Sequence, residues 1–135
     1  MNIALMAEDS KKELMVQFCL AYCGILAHHN LYATDTTGRL ITEETGLPVH
    51  RYLSHAHGGI QQIGARVDLN EIDMVLFFID PTTGALFDEA NYISILCDAN
   101  NIPFTTNIAT AEVLIQGLQC GDLDWRDIVN PKNKA

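Results

Sequence analysis

Short apolar runs rich in β-branched and aromatic residues alternate along this chain with longer stretches of helical period, and the alternation continues to the end. Repeated βα units of this kind predict an α/β fold: a five-stranded parallel sheet in a three-layer arrangement, with right-handed crossovers placing helices on both faces. A second observation is the run Met74-Val-Leu-Phe-Phe-Ile79, which is apolar at every position, as a central parallel strand requires. The third is size. A chain of 135 residues, 48% hydrophobic and 19% charged, suits one domain over 1–135 and leaves no room for a second.

The elements follow in order. Strands are expected over 2–7, 31–34, 49–53, 74–79 and 102–105, where apolar runs of strand length are bounded by polar or turn residues. Helices are expected over 10–27, 38–45, 59–69, 88–100 and 110–118, each showing apolar residues at helical spacing. No internal repeat, low-complexity tract or linker interrupts them. The tail from Asn130 to Ala135 is polar and is expected to be mobile.

Composition narrows the function classes. Eight basic against 17 acidic residues give a formal net charge of −9, and the basic residues form no cluster beyond Lys11-Lys12, so a nucleic-acid partner is not expected. No apolar run approaches the roughly 20 residues of a membrane span, and Glu8 and Asp9 come too early for a signal peptide, so a cytoplasmic protein without a membrane partner is expected. Cys19, Cys23, Cys97 and Cys120 lack CxxC spacing and read as buried free thiols. The same negative field opposes a small anion, so an anion site must rest on local amides, hydroxyls and a lysine.

In an open parallel sheet, ligands bind beyond the carboxyl ends of the strands. Those ends carry Glu8-Asp9-Ser10, Thr34-Asp35-Thr36-Thr37-Gly38, Ser54-His55-Ala56-His57-Gly58-Gly59, Asp80-Pro81-Thr82-Thr83-Gly84 and Thr106-Asn107. The threonine loop runs straight into a helix, whose free first-turn amides and hydroxyls suit an anion, and Gly58-Gly59 lets a backbone approach closely. Lys12 near the first helix start opposes the dipole unless it faces an anion. The ordinary alternatives are N-caps, turns and a solvated lysine. His55 and His57, near Glu8, Asp9 and Asp80, compose a weak metal-ligand pattern, whereas His28, His29 and His50 read as surface or helix-end residues.

These loops resemble the methylglyoxal synthase family over nearly the whole chain, in Ile3-Ala-Leu-Met-Ala7 with Asp9 and Lys12, Leu31-Tyr-Ala-Thr-Asp-Thr-Thr-Gly38, Ser54 with Gly58-Gly59, Gln61-Gln-Ile-Gly-Ala65, Phe77-Phe-Ile-Asp-Pro81 and Asn101-Ile-Pro-Phe-Thr-Thr-Asn107. The resemblance implies a Rossmann-like subunit in a homohexamer, no cofactor, and removal of phosphate from dihydroxyacetone phosphate to give methylglyoxal. It also implies phosphate binding by Lys12, Thr34, Thr36, Thr37, Ser54 and the His55 amide, all present in kind. The family arginine that reaches in from a neighbouring subunit has no clear match; Arg126, Lys132 and Lys134 are the basic residues near that position.

The family places its proton-accepting Asp directly after the Gly-Gly pair, and here that residue is Ile60. Its histidine after the first strand is Glu8, its histidine beyond the fourth strand is Phe87, and its Asp three residues later is Ala90. The family Gly and Pro after the serine are His55 and Ala56, and the first glycine of its threonine loop is Asp35. Asp9 and Asp80 remain, and the family uses them mostly to orient groups that are absent here. Losing a positioned base costs about 10² to 10⁴ in rate. The leading expectation is therefore a pseudoenzyme that binds a phosphorylated metabolite, inorganic phosphate or a protein partner. One alternative is an active synthase with His55 or His57 as a displaced base. The other is metal-assisted chemistry in the same cleft.

Overall fold

The structure, a computed structural model, describes residues 1–129. Five strands, β1 (Asn2–Ala7), β2 (Asn30–Ala33), β3 (His50–Arg51), β4 (Met74–Phe78) and β5 (Phe104–Thr105), form one parallel sheet in the order β3-β2-β1-β4-β5. The expected sheet and layers are present. The helices are α1 (Lys12–Ala21), α2 (Cys23–Leu26), α3 (Asp35–Thr45), α4 (Gly59–Asp68), α5 (Phe87–Ala99), α6 (Ile108–Gln119) and α7 (Arg126–Val129), with 3-10 turns at Asp9–Lys11 and His55–His57.

The period of two along β1 divides the core. Ile3 and Leu5 face α1, α3 and α6 through Met15, Phe18, Ile41 and Ile115, while Ala4 and Met6 face α4 and α5 through Ile60, Ile63 and Ile93. β4 repeats the pattern with Leu76 and Phe78 on the first face and Val75 and Phe77 on the second. All five β4 residues are buried, and each large side chain so buried contributes about 2 kcal/mol.

Several boundaries differ from expectation for local reasons. α3 starts three residues early because extended Thr34 stands at its N-cap and Asp35 occupies the first turn, where a carboxylate suits the dipole. The first helix breaks at Tyr22, whose φ of −110° and ψ of 23° leave the α region just before Cys23-Gly24. β3 shrinks to two residues because it is an edge strand, with pairing on one side alone. β5 is cut to two by Pro103, although the Pro103 carbonyl still accepts from the Val75 amide at 2.9 Å.

α7 carries a residue whose position corrects an expectation. Arg126 is 1% exposed and donates to Asp73 Oδ1, the Asn100, Asn101 and Ile72 carbonyls and Asn70 Oδ1. Asp73 immediately precedes β4, so this guanidinium plugs the amino edge of the sheet, opposite the polar loops. Arg126 is thereby consumed inside its own subunit; Lys132, Lys134 and the expected mobile tail lie outside the described residues.

The cysteines divide. All four are free; Cys19 and Cys97 are buried, Cys23 is half-buried, and Cys120 is exposed, against the expectation of four buried thiols. Burial pushes the Cys19 and Cys97 thiols up to about 12, with Cys23 adding to the rise at Cys19 and Asp98 at Cys97. At pH 8, a thiol reagent should therefore label Cys120 readily and reach Cys19 and Cys97 on unfolding; fast labelling of either in the native protein would contradict this packing. Arg126→Ala should lower stability by about 3 kcal/mol in urea titration, because it withdraws the charge that its buried acceptors surround.

Candidate functional site

β1 has neighbours on both sides, and chain order reverses there: β2 and β3 extend one way, β4 and β5 the other. The crevice outside the carboxyl ends of β1 and β4 is thus the topological switch point. Glu8 follows β1, Asp80 follows β4, and the Glu8 amide donates to the Phe78 carbonyl at 2.9 Å, closing the gap between them.

Glu8 is 4% exposed, yet its carboxylate is satisfied. One oxygen accepts from the Asp80 amide and, at 3.4 Å, from the Thr83 hydroxyl; the other accepts from the Leu86 amide at 2.9 Å. The side chain thus cross-braces residues 80–86, tying the loop after β4 to the end of β1. Sequence reasoning missed this role, since an acid after a strand gives no sign of which amides will face it.

Asp9 is exposed and pairs with Lys12 Nζ at 3.0 Å; that hydrogen bond and charge hold its carboxyl below the usual range, with His55 adding in the same direction. Lys12 is buried rather than solvated, and its ammonium also donates to the Ala7 carbonyl at 2.8 Å. Asp80 accepts from the Thr82 amide at 2.9 Å, the Thr82 hydroxyl at 2.6 Å and the Ser10 hydroxyl at 3.2 Å. The Thr82 hydroxyl and amide, helped by Ser10 and Lys11, hold Asp80 low as well. Both aspartates are thus held below the usual carboxylate range by the groups that bond them.

On the other side of β1, α3 opens with no side-chain cap at Thr34. Thr34 and Thr37 are buried and Thr36 half-buried. Among the described residues, the Thr37 Oγ1 is a buried side-chain oxygen without a hydrogen-bond partner. An orphaned buried hydroxyl costs on the order of 1–3 kcal/mol, and Thr37 lies in the first helical turn, where free amides also gather. Asp35 brings a negative charge there, partly offset by Arg51 at 3.7 Å, a cation that the sequence did not single out.

The loop after β3 adjoins α3, since the Asp35 amide donates to the Leu53 carbonyl at 3.4 Å. It turns within six residues: the His57 and Gly59 amides both donate to the Ser54 carbonyl at 3.0 Å, and Gly58 takes φ 97°. A Cβ at Gly59 would fall 1.7 Å from the Leu53 carbonyl oxygen, so glycine is obligatory there. Ser54 Oγ lies 2.7 Å from His57 Nδ1.

A cleft of about 280 Å³ is lined by Glu8, Asp9, Ser10, His55, Thr83, Ala85 and Leu86. The expected convergence of Glu8, residues 34–38, residues 54–59 and Asp80 on one cleft is therefore partial. Glu8 and His55 are in this wall, whereas residues 34–38, Ser54, His57 and Asp80 are not, and 34–38 adjoin the 53–59 loop through Leu53. His55 lines the cleft, whereas His57 is turned to Ser54. Ile60 is 1% exposed within the core under α4, and Ala90 is 5% exposed beneath α5. Phe87 is 64% exposed and borders a second, apolar hollow with Ile79, Ala90 and Phe104. Among the described residues, no group of three or more His, Cys, Asp or Glu side chains could hold a metal ion, so the metal-assisted alternative lacks a ligand set there. No helix among them is long and apolar enough to cross a membrane. His29, read as a surface or helix-end residue, is half-buried and bonds the terminal amine of Met1 at 2.9 Å.

Residues 15–106 match the model of the MGS-like domain. A methylglyoxal synthase of Caldicellulosiruptor saccharolyticus is 60% identical over 133 residues, covering 98% of this chain and 94% of the relative. One from Geobacillus thermodenitrificans is 51% identical over 136 residues, covering 100% and 94%. The crystal structure of methylglyoxal synthase from Elizabethkingia anophelis superposes with a TM-score of 0.78 at 40% identity, covering 84% of this chain and 76% of that one.

Glu8→Ala should cost about 2 kcal/mol or more, since it leaves two inward amides without their acceptor. The Asp80 and Leu86 amides should then lose protection in hydrogen exchange before the rest of the sheet; unchanged protection would show that the brace is dispensable.

Proposed function

The chain belongs to the MGS-like domain family, and from that premise we propose that it binds a phosphorylated small molecule at the carboxyl edge of its sheet without converting it by the family's proton abstraction. The observation that carries the binding half is the start of α3, where the buried Thr37 hydroxyl stands unpartnered in the first turn of an uncapped 11-residue helix. Neutral donors there suit a phosphate despite the net charge of −9. Lys12, Thr34, Thr36, Ser54 and the His55 amide complete the proposed set.

The half concerning turnover rests on Ile60. The resemblance puts the proton-accepting carboxylate at this position, and a branched alkyl group packed at 1% exposure can neither accept a proton nor admit a water that would. Asp9 and Asp80 are held too acidic to replace it. Glu8 is engaged with the 80–86 loop, and Phe87 and Ala90 offer no polar group.

A second reading is supported by the names of the relatives: at 60% identity across 98% of the chain, a synthase acting on dihydroxyacetone phosphate is a direct inference. Its base would be His55, which lines the cleft, rather than His57. Assembly as a homohexamer belongs to either reading, and the exposed Phe87, Tyr92, Ile95, Val113 and Trp125 are compatible with buried subunit contacts. Light scattering should give about six times the 14.9 kDa chain mass, and a monomer would remove that part.

The deciding assay is methylglyoxal formation from dihydroxyacetone phosphate beside an authentic synthase. The unmodified chain should be at least about 10³-fold slower. Activity near the authentic rate, lost in His55→Ala, would replace the binding reading by the second. Ile60→Asp alone should stay inactive, whereas joint restoration as Glu8→His, Ile60→Asp, Phe87→His and Ala90→Asp should give some turnover, because residues acting as a unit are strongly non-additive.

A further inference from the structure

His57 stands three residues after Ser54 in a 3-10 turn, and the 2.7 Å separation of Ser54 Oγ from His57 Nδ1 commits the serine hydroxyl to one of two arrangements. With a neutral imidazole whose Nδ1 accepts, the serine proton points at the ring and the oxygen presents lone pairs elsewhere, which repels an anion. With a proton on Nδ1, as in the other neutral tautomer and always in the charged ring, Nδ1–H donates to Oγ and the serine proton is released to donate outward, so charging the ring makes this arrangement obligatory. We propose that His57 is a positioning residue of the anion site, setting whether Ser54 acts as a donor, so that the site prefers dianionic ligands when His57 is protonated. The inference rests on the phosphate-binding reading and gives it a proton-linked specificity.

The surrounding charges leave this role to the loop. Asp9 and Lys12 neutralise each other at 3.0 Å, Asp35 faces Arg51 at 3.7 Å, and Glu8 is occupied by the amides of Asp80 and Leu86. Carboxylates, lysines and arginines keep their charge between pH 5.5 and 8, whereas imidazoles change theirs in this interval. His55, near Asp9, carries the other imidazole of the loop and must be separated experimentally.

The sign follows from the geometry: lowering the pH through the imidazole range adds a positive charge and removes the tautomer in which Nδ1 accepts the serine proton, so anion affinity rises. By reciprocity, a bound anion raises the pH at which His57 loses its proton. Sulfate is the suitable probe, because it stays a dianion across the range whereas phosphate changes charge. Titration followed by amide and imidazole resonances should show sulfate binding about fivefold or more tighter at pH 5.5 than at pH 8, with the His57 titration midpoint moving upward at saturation. His57→Phe, at an exposed position, should fold normally and lose most of this dependence; Ser54→Ala should weaken binding at pH 5.5 and flatten it too; His55→Asn should leave it in place. Sulfate binding with the same pH dependence in His57→Phe, or a dependence abolished by His55→Asn, overturns the role of His57 while the anion site stands. Binding that is flat with pH in the unmodified protein does likewise. No sulfate binding at either pH overturns both.

Discussion

The pairing of β1 with β4 is the contact on which the rest of the molecule depends. Five residues of each strand lie in register, from Ile3 opposite Met74 to Ala7 opposite Phe78, and the side chains alternate into the two cores that hold helices on either face. The two strands end level, so Glu8 and Asp80 emerge side by side. The site is therefore a consequence of register: a slip of one residue would turn each strand's face-one side chains to face two and carry the carboxyl-edge loops apart. The amino edge is closed by a different device, with Arg126 buried among Asp73, Asn70 and backbone carbonyls, so the sheet is plugged by charge at one end and open to ligand at the other.

Much of this was legible in the residues. An apolar β4 buried on both faces, an apolar run at 2–7 and helices at regular intervals fix a parallel α/β sheet, because few other topologies satisfy that pattern. What escaped was set by neighbours distant in sequence. α3 begins at Asp35 because its threonines enter the first turn, where propensity alone reads loop. The acceptors of Arg126 come from two separate loops, those before β4 and before β5, and nothing local in a short Asp-Trp-Arg-Asp segment announces them. The Ser54–His57 pair was closer to hand, since an i, i+3 spacing before a glycine in the left-handed region is what a 3-10 turn brings together.

The electrostatics of the carboxyl edge separate binding from chemistry. Each acid there has a partner that uses it: Asp9 has Lys12, Asp80 has Thr82 and Ser10, and Glu8 has the amides of the 80–86 loop. Partnered in this way, these carboxylates shape the cleft and fix its loops. The start of α3 is in the opposite condition, with a buried hydroxyl that has no hydrogen-bond partner among the described residues. On the proposed reading, satisfied acids beside an unsatisfied donor favour an incoming anion.

Charge at this edge also bears on which anion. Asp35 sits in the first turn of α3, where an incoming phosphate would lie, and its half-exposed side chain reaches Arg51 at a loose 3.7 Å. At a half-exposed position such a pair is worth less than about 1 kcal/mol, so the carboxylate charge is screened rather than removed. A dianion entering here meets helix amides, the Thr37 hydroxyl and Lys12 on one side and the Asp35 field on the other. In the proposed pH dependence one additional positive charge tips that balance, and His57, bonded to the hydroxyl of the proposed donor set, is placed to supply it.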